Sequence, residues 1–432
     1  MLALLSCGSN AQGQLGNGTL DDSYAFQRCS FEGFPPANLP NGTMQIIEVA
    51  TGSNHTLALL ELSASGRHWR EIWGCGDGRK GQLGTKYRIE TKGGLQGTRF
   101  RKVELDLYEA GFEGYSVKFI AATWETSYIV LSCNDRSDIV ISMGSNDYGD
   151  LGIGGLEYFE DRRSQVTLKD FHVVEFGHLF PQTQPQVVIV DAINTGQRHV
   201  IAHLRVDMEG KPRQQVIVGW GISRHGQLGG NTAPKVKSPP FISTPQILPL
   251  SRPDDLVIIS SLGIHHSTFL HSSGHVSALG SDRKGQMSVI SDISNVQDIK
   301  CTWNGTFCVV RNNTWSILSS GSNSHSQLGW DEDSSSGRVE FPPSVDTTSS
   351  TVQIACGSEH VLALTRGRSS DQVWGWGWNE HGNLGTGDTS DVMLPVQLLP
   401  PLSENGTRRV TDISGIWGGC GTSWICCQYD PD

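Results

Sequence analysis

Residues 8–16 read GSNAQGQLG and residues 49–59 read VATGSNHTLAL. The first stretch spaces glycines around Asn and Gln, residue types that tolerate positive φ on both sides of a turn, and sets one leucine, Leu15, as an apolar plug beneath it. The second is an apolar run that enters Gly52-x-x-His55 and leaves as another apolar run, as two short buried strands joined by a turn would read. Both boxes recur. First boxes start again at Gly76 (GDGRKGQLG), Gly144 (GSNDYGDLG), Gly221 (GISRHGQLG), Gly280 (GSDRKGQMS), Gly321 (GSNSHSQLG) and Gly377 (GWNEHGNLG), with Leu83, Leu151, Leu228, Leu328 and Leu384 as plugs and Met287 replacing one of them. Second boxes recur around Gly196, Gly263 and Gly357. Degenerate copies are IAATWETSYIV, IKCTWNGTFCV and IWGGCGTSWIC, with Thr123, Thr302 and Gly419 at the glycine place.

The boxes alternate without exception. A second box precedes the next first box by 17 to 25 residues, whereas the reverse gap runs from 22 to 52, so one side of each unit is fixed geometry and the other takes insertions. The mean repeat is about 61 residues, room for four short strands and one long loop. The chain opens on a first box and ends on a second, so a seventh unit exists only if residues 410–427 pair with residues 2–16. Such pairing would close a ring and hide its last edge strands. The expected fold is all-β: a seven-bladed β-propeller of four-stranded blades, one domain over residues 1–432. Its blades are expected at about 46–115, 116–186, 187–255, 256–295, 296–350 and 351–409, with 410–427 combined with 2–16 as the seventh.

Composition points the same way. Glycine makes up 51 of 432 residues without an every-third spacing, charged residues 18% and hydrophobic ones 37%, which excludes collagen-like and disordered chains. Lys+Arg 33 against Asp+Glu 44 leaves a net charge of −11 with no basic tract at either end, so a sequence-independent grip on nucleic acid or anionic membrane is disfavoured. Met1–Cys7 is apolar but too short for a signal peptide. Ten cysteines include no CxxC pair and read as reduced, buried small hydrophobes, which places the protein in the cytoplasm with the nucleus as a second compartment. The Asn-x-Ser/Thr matches at Asn17 and Asn41 then carry no glycan.

A residue type that recurs from blade to blade serves the blade, so His55, His199, His266 and His360, which share one box position, read first as structural. The functional reading sets them, together with Trp124, Trp303 and Trp417 of the degenerate boxes, on one rim of a central channel as contacts for a partner. Thr126, Gly305 and Thr422 stand at the histidine place in the other copies. Trp73, Trp220, Trp374 and Trp376 precede first boxes and are expected between blades. His265, His266, His271 and His275 are close in sequence, but strand alternation around Ser272-Ser273-Gly274 divides them between faces, and no acidic or Cys ligand stands at a metal spacing. Gly74-Cys-Gly76-Asp-Gly78 and Gly419-Cys-Gly421 lead into no helix and read as turns, not phosphate loops. GxSxG, HExxH and P-loop motifs are missing, so no catalytic residue, metal or cofactor is expected. Individuality is expected in the insertions 17–43, 85–114, 154–185, 230–255 and 330–350. These hold the basic spots Arg99 to Lys102 and Arg162-Arg163 and the acidic ones Glu160-Asp161 and Asp331-Glu332-Asp333.

The alternation of GSNxxGQLG with GxxHTLAL resembles the regulator of chromosome condensation repeat over essentially the whole chain. The resemblance implies a seven-bladed propeller whose first and last segments share a blade. It also implies second-box histidines that, in the founding member, contribute to the surface facing a small GTPase. A chain that begins directly at the first box, has no appended domain and is acidic looks like the fungal alpha-tubulin suppressor, or killer-toxin-insensitivity, proteins, and so do the TWETS and TWNGT forms of the second box. That likeness implies a non-catalytic protein-interaction platform, monomeric by itself. Its partner would be a small zinc-binding protein of the diphthamide pathway, and its role would be support of Elongator-dependent tRNA wobble-uridine modification. The alternative is a guanine nucleotide exchange factor for a small GTPase. The wedge-like insertion associated with that activity interrupts one box, and every first box here keeps nine residues. The GWRHT repeats of light-sensing plant relatives are missing.

Overall fold

In the computed structural model of the chain, each second box is a hairpin turn closed by one main-chain bond. The amide of the first residue donates to the carbonyl of the fourth: Gly52 to His55 (2.8 Å), Thr123 to Thr126 (2.8 Å), Gly196 to His199 (2.9 Å), Gly263 to His266 (3.0 Å), Thr302 to Gly305 (3.0 Å), Gly357 to His360 (2.9 Å) and Gly419 to Thr422 (2.8 Å). The bond persists where Thr replaces Gly and Gly replaces His, so the turn belongs to the backbone, and the box side chains answer to something else.

The strand leaving each turn pairs antiparallel with the strand that ends in a first box, and the register is the same every time. The glycine that opens the first box faces the fourth turn residue: His55 with Gly76, Thr126 with Gly144, His199 with Gly221, His266 with Gly280, Gly305 with Gly321 and His360 with Gly377. From the two ends of the chain, Thr422 faces Gly8 in the same way. All seven glycines have φ between +93° and +127°, and a Cβ on any of them would overlap the carbonyl oxygen of the turn's third residue. Only glycine satisfies both demands.

The structure describes residues 1–91, 97–154, 171–230, 240–250, 255–290, 293–330, 337–348, 350–367, 370–400 and 410–430. Seven antiparallel sheets make up the seven-bladed β-propeller and fall into two compact units. The unit of Asn41–Gly97 and Arg101–Asp254 holds three four-stranded sheets. They are built on Thr43–Thr51, His55–Ala64, Arg67–Gly76 and Arg101–Lys102; on Ser116–Ala122, Thr126–Ser132, Ile139–Gly144 and His172–Val174; and on Val187–Thr195, His199–Asp207, Gln214–Ile222 and Phe241–Ile247. Between the first two sheets lies a core of Leu57, Leu59, Ile72 and Leu83 against Ile120, Ile129, Leu131 and Ile141. Tyr128, Val140, Val200, Val218 and Trp220 fill the space between the second and third.

The unit of Met1–Pro40, Thr98–Phe100 and Asp255–Asp432 holds the other four sheets. The sheet of Thr351–Cys356, His360–Arg366, Asp371–Gly377 and Val392–Leu399 is four-stranded. The sheets on Val257–Leu262, His266–His271 and Val276–Gly280 and on Val296–Cys301, Gly305–Arg311 and Trp315–Gly321 have three strands among the described residues. In the latter a bridge from Leu318 to Arg338 takes the outer place. The last sheet orders Ser23–Arg28, Leu2–Gly8, Thr422–Tyr429 and Val410–Gly418 side by side, so the two chain ends share one blade. Its neighbour packs on it through Leu362, Leu364 and Leu384 against Leu5, Ile416 and Ile425. Cores shared by successive sheets explain why the central strands are apolar on both faces.

Several insertion tips, residues 92–96, 155–170, 231–239, 251–254, 331–336 and 349, lie outside the described residues, and with them Glu160, Asp161, Arg162, Arg163, Asp331, Glu332 and Asp333. The basic stretch 99–102 is not a simple surface patch. Phe100 is fully buried and stacks on Phe31 with ring centroids 4.9 Å apart, and Lys102 is paired with Glu71 at 2.6 Å.

The opening glycine can be tested against a control with the same backbone twist. Gly66 also has positive φ, but a Cβ added there would meet nothing within 4 Å, whereas one on Gly8 would meet the Gly421 carbonyl. Thermal and urea melts should show Gly8→Ala losing at least about 2 kcal/mol more than Gly66→Ala. Equal losses would mean that conformation, not contact, selects glycine here.

Candidate functional site

The side chains of the second box follow from how each imidazole lies. In the 41–254 unit His55 Nε2 is 3.0 Å from the Ser127 hydroxyl of the next sheet. In the other unit His266 Nε2 is 3.0 Å from Thr306 Oγ1, and His360 Nε2 is 2.9 Å from Ser423 Oγ. In reaching these hydroxyls each ring lies against the glycine three residues earlier, and a Cβ on Gly52, Gly263 or Gly357 would overlap it. Glycine and histidine are therefore one steric pair. Thr302 carries the bulk in its copy and position 305 shrinks in compensation, since a Cβ on Gly305 would come 2.8 Å from Thr302 Oγ1.

The histidines are thus struts. His55, His199, His266 and His360 are at most 1% exposed. Burial pulls the pKa of His55, His266 and His360 down to about 4, so these rings are neutral at physiological pH. His203, on the strand His199–Asp207, is lowered to about 4 for the same reason. His271 spends both nitrogens at home, on the Asp255 carbonyl (3.0 Å) and Ser277 Oγ (2.7 Å).

The second residues of successive turns are linked through their backbones. Ser53 N–H donates to Trp124 O (2.9 Å) and Trp124 N–H to Gln197 O (2.8 Å). In the other unit Ile264 donates to Trp303 (2.9 Å), Trp303 to Ser358 (2.7 Å) and Ser358 to Gly419 (3.0 Å). These bonds join successive turns, while the indoles of Trp124 and Trp303 stay half-exposed. Trp417 is placed differently. It ends the strand Val410–Gly418, opposite Trp424, with its ring over Gly415, and Cys420 takes the turn position. Trp220 and Trp376 are buried as expected, donating to the carbonyls of Asp150 (2.9 Å) and Gln327 (3.0 Å) in the preceding sheet.

The first box is equally committed. Its Asn or Asp accepts the N–H of the plug residue, as Asn10 does from Leu15 (2.9 Å), Asn146 from Leu151 (3.0 Å) and Asp282 from Met287 (2.7 Å). Its Gln accepts the amide two residues earlier, as in Gln82 from Lys80 (2.9 Å) and Gln327 from His325 (2.8 Å). What remains free to vary is the second residue and the fifth residue of the box and the third residue of a turn. In the 41–254 unit a fifth-position tyrosine and a third-position arginine build a cation–aromatic cluster with Trp124 of the preceding turn. The Arg198 guanidinium lies 4.4 Å from the Tyr148 ring centre and 5.7 Å from that of Trp124. Beside it Asp150, standing where five other copies have Gln and one has Asn, is fully buried. Burial lifts its pKa to about 6, opposed in part by Arg198. In the other unit the corresponding positions hold Glu359, which accepts from Asn304 (2.7 Å) and Gln327 (2.8 Å), and the trio His325, Trp378 and His381. Arg198, Tyr148 and Trp378 were not singled out from sequence. Their signal was there, as residues that differ from every other copy at their own box position.

Comparisons with known proteins agree with this geometry. The family model described as Regulator of chromosome condensation (RCC1) repeat matches residues 3–59, 316–364 and 370–418, and a second model of the same description matches residues 351–383. An RCC1 repeat-containing protein of Schizosaccharomyces pombe is 29% identical over 426 residues, covering 98% of this chain and 99% of the relative. The secretion-regulating guanine nucleotide exchange factor of Mus musculus is 24% identical over 428 residues, covering 92% and 79%. Among solved structures, Prp20p from Saccharomyces cerevisiae, described with its binding to Gsp1p and histones, superposes with a TM-score of 0.68 at 18% identity, covering 100% of this chain and 92% of that one.

The buried imidazoles set the acid response. An unfolded histidine titrates near 6.5, whereas His55, His203, His266 and His360 fold with values of about 4, so between the two the unfolded chain binds protons that the folded chain does not. Stability is then complete above about pH 6.5 and falls as pH drops toward 4, each histidine costing on the order of 2 kcal/mol at pH 5. Melting temperatures recorded from pH 7.5 to 5 should fall accordingly. His360→Gln should start lower and fall less steeply. A parallel curve for that variant would assign the acid sensitivity to other groups.

Proposed function

We propose that this chain, which belongs to the regulator of chromosome condensation (RCC1) repeat family of seven-bladed propellers, is a non-catalytic platform that binds other proteins through side chains its blades do not share. The observation that carries this reading is the cluster of Trp124, Arg198 and Tyr148. The repeated residues around it are spent on struts and turns, while this cluster is half-exposed and combines the aromatic and arginine types enriched at binding hot spots. Rigid turns beneath it keep the entropy lost on binding small.

The partner we assign is a small zinc-binding protein of the diphthamide pathway, with the propeller supporting Elongator-dependent tRNA wobble-uridine modification in the cytoplasm and the nucleus. End-to-end likeness to a fungal relative supports this reading. A second reading, exchange factor for a small GTPase, is favoured by the likeness to a relative named for that activity. The nine-residue length of every first box speaks against it, because the wedge-like insertion tied to exchange interrupts one.

Affinity purification of the tagged chain from its source cell, with partners identified by mass spectrometry, decides between them. Recovery of the small zinc protein, reduced in a Trp124→Ala/Arg198→Ala variant that melts like wild type, is the expected outcome. Recovery of a GTPase that leaves on addition of GTP would install the exchange reading instead. A purification indistinguishable from mock would overturn the platform.

A further inference from the structure

In the unit that contains the chain ends, five tryptophans are tied down through their indole N–H and Trp378 is not. Trp315, Trp330, Trp374, Trp376 and Trp424 all donate their indole N–H, to Ser350, Ser319, Thr365, Gln327 and Thr422 at 2.8 to 3.3 Å. Trp378 is half-exposed, and its indole N–H has no acceptor among the described residues. It occupies the second position of its first box, where five other copies have Ser or Asp and one Ile. Its backbone is fixed at both ends. The amide donates to Glu359 O (3.0 Å), and the carbonyl accepts from Asn383 Nδ2 (2.5 Å). The side chain is thus held by its backbone with its indole N–H unspent.

Two imidazoles frame it edge to face. His325 stands 6.2 Å from the indole and His381 5.3 Å, with interplanar angles of 62° and 88°. Each turns Nδ1 to a carboxylate: His381 to Asp22 Oδ2 (2.8 Å) and His325 to Asp391 Oδ2 (3.1 Å). The other oxygen of each carboxylate accepts a first-box amide, Asn10 for Asp22 (2.8 Å) and Asn379 for Asp391 (2.9 Å). Carboxylates and rings are therefore in place before anything binds. Tyr24, an exposed aromatic, lies against Gly382 beside His381.

The segments that build this frame are acidic, and the cation that reaches its edge is Lys284, which acts on Glu359. Residues 1–27, 312–337 and 371–400 contain no Lys or Arg, whereas Asp21, Asp22, Glu380, Asp388 and Asp391 cluster on the loops closing these boxes. A nucleic acid or an anionic lipid surface would be repelled. A guanidinium or ammonium group would gain from the indole face, the strongest aromatic partner for a cation, and from the carboxylates at its edge.

We propose that Trp378, framed by the His325–Asp391 and His381–Asp22 pairs, is a docking site for a basic segment of a protein, with an arginine or lysine side chain seated on the indole. The site is distinct from the Trp124 cluster and does not rest on the partner assigned there.

The test is fluorescence anisotropy of the full chain with a labelled arginine–glycine repeat peptide, alongside a glutamate–glycine peptide and a short labelled RNA. Saturable binding of the basic peptide alone is expected, weakening as salt rises. Trp378→Ala should weaken it roughly ten-fold, Trp378→Phe less, and Asp22→Asn/Asp391→Asn should weaken it and flatten the salt dependence. Trp69→Ala, an exposed indole of the other unit already donating to Glu71, should bind as wild type does. The indole N–H resonance that disappears in Trp378→Phe should shift in wild type when the peptide is added, a readout that does not depend on the alanine variant folding. No saturable binding, unchanged affinity in Trp378→Phe and Trp378→Ala, or equal binding of the acidic peptide or RNA would overturn the proposal.

Discussion

Seven times the chain brings the Cα of a glycine against the carbonyl oxygen of a turn on the neighbouring strand, and the organisation of each blade follows from the fact that no side chain can stand there. At that point the backbone passes through positive φ. The chain leaves the sheet into two successive turns, as Gly13 to Asn10 and Gly16 to Gly13 bond in the first copy, and returns with the plug leucine buried beneath. The contact also fixes register, because a one-residue slip would move every apolar side chain of the strand to the other face. The pair of Gly8 and Thr422 shows what the constraint accomplishes: two segments at opposite ends of the sequence meet in the register used everywhere else.

A second constraint grows from the first. With the fourth turn residue fixed opposite that glycine, a histidine there has its ring directed at the hydroxyl of the next sheet. The glycine three residues earlier is the space it needs. This explains why the box reads Gly-x-x-His and why the exchanges at 302 and 305 occur together. Local sequence could supply the turn but not this reason, since the hydroxyl partner belongs to the following repeat, 72 residues away for His55 and Ser127.

The same distinction separates what was legible in the candidate site from what was not. Period, box order and the sharing of a blade by the two chain ends were readable because they depend on residues within one box. The burial of the four histidines followed from repetition itself. The placing of Trp417 in a strand, not a turn, depended on a three-residue offset inside a degenerate box. Phe100 looked like part of a basic surface stretch until its stacking partner Phe31 was brought beside it. Trp378 stood plainly in GWNEHGNLG, yet the carboxylate that holds its neighbour His381 comes from Asp22, 359 residues earlier. Non-repeating residues acquire meaning only from neighbours that folding supplies.

Burial sets the chemistry of the shared residues. A general base or a nucleophilic thiol must reach solvent in its reactive form near neutral pH. The box histidines are driven down to about 4 by burial. Burial also pushes the thiols of Cys29 and Cys427 up to about 12, and those of Cys7, Cys308 and Cys356 upward as well. The framework thereby silences the reactive side chains that it repeats. Among the groups that stay accessible are two set at variable box positions: an arginine between aromatics in one unit, and an indole between imidazole–carboxylate pairs in the other. The two present opposite electrostatic faces on the same kind of rigid turn. A scaffold that holds its repeated residues constant and varies only these positions can present differently charged recognition sites without altering the contacts that keep its blades in register.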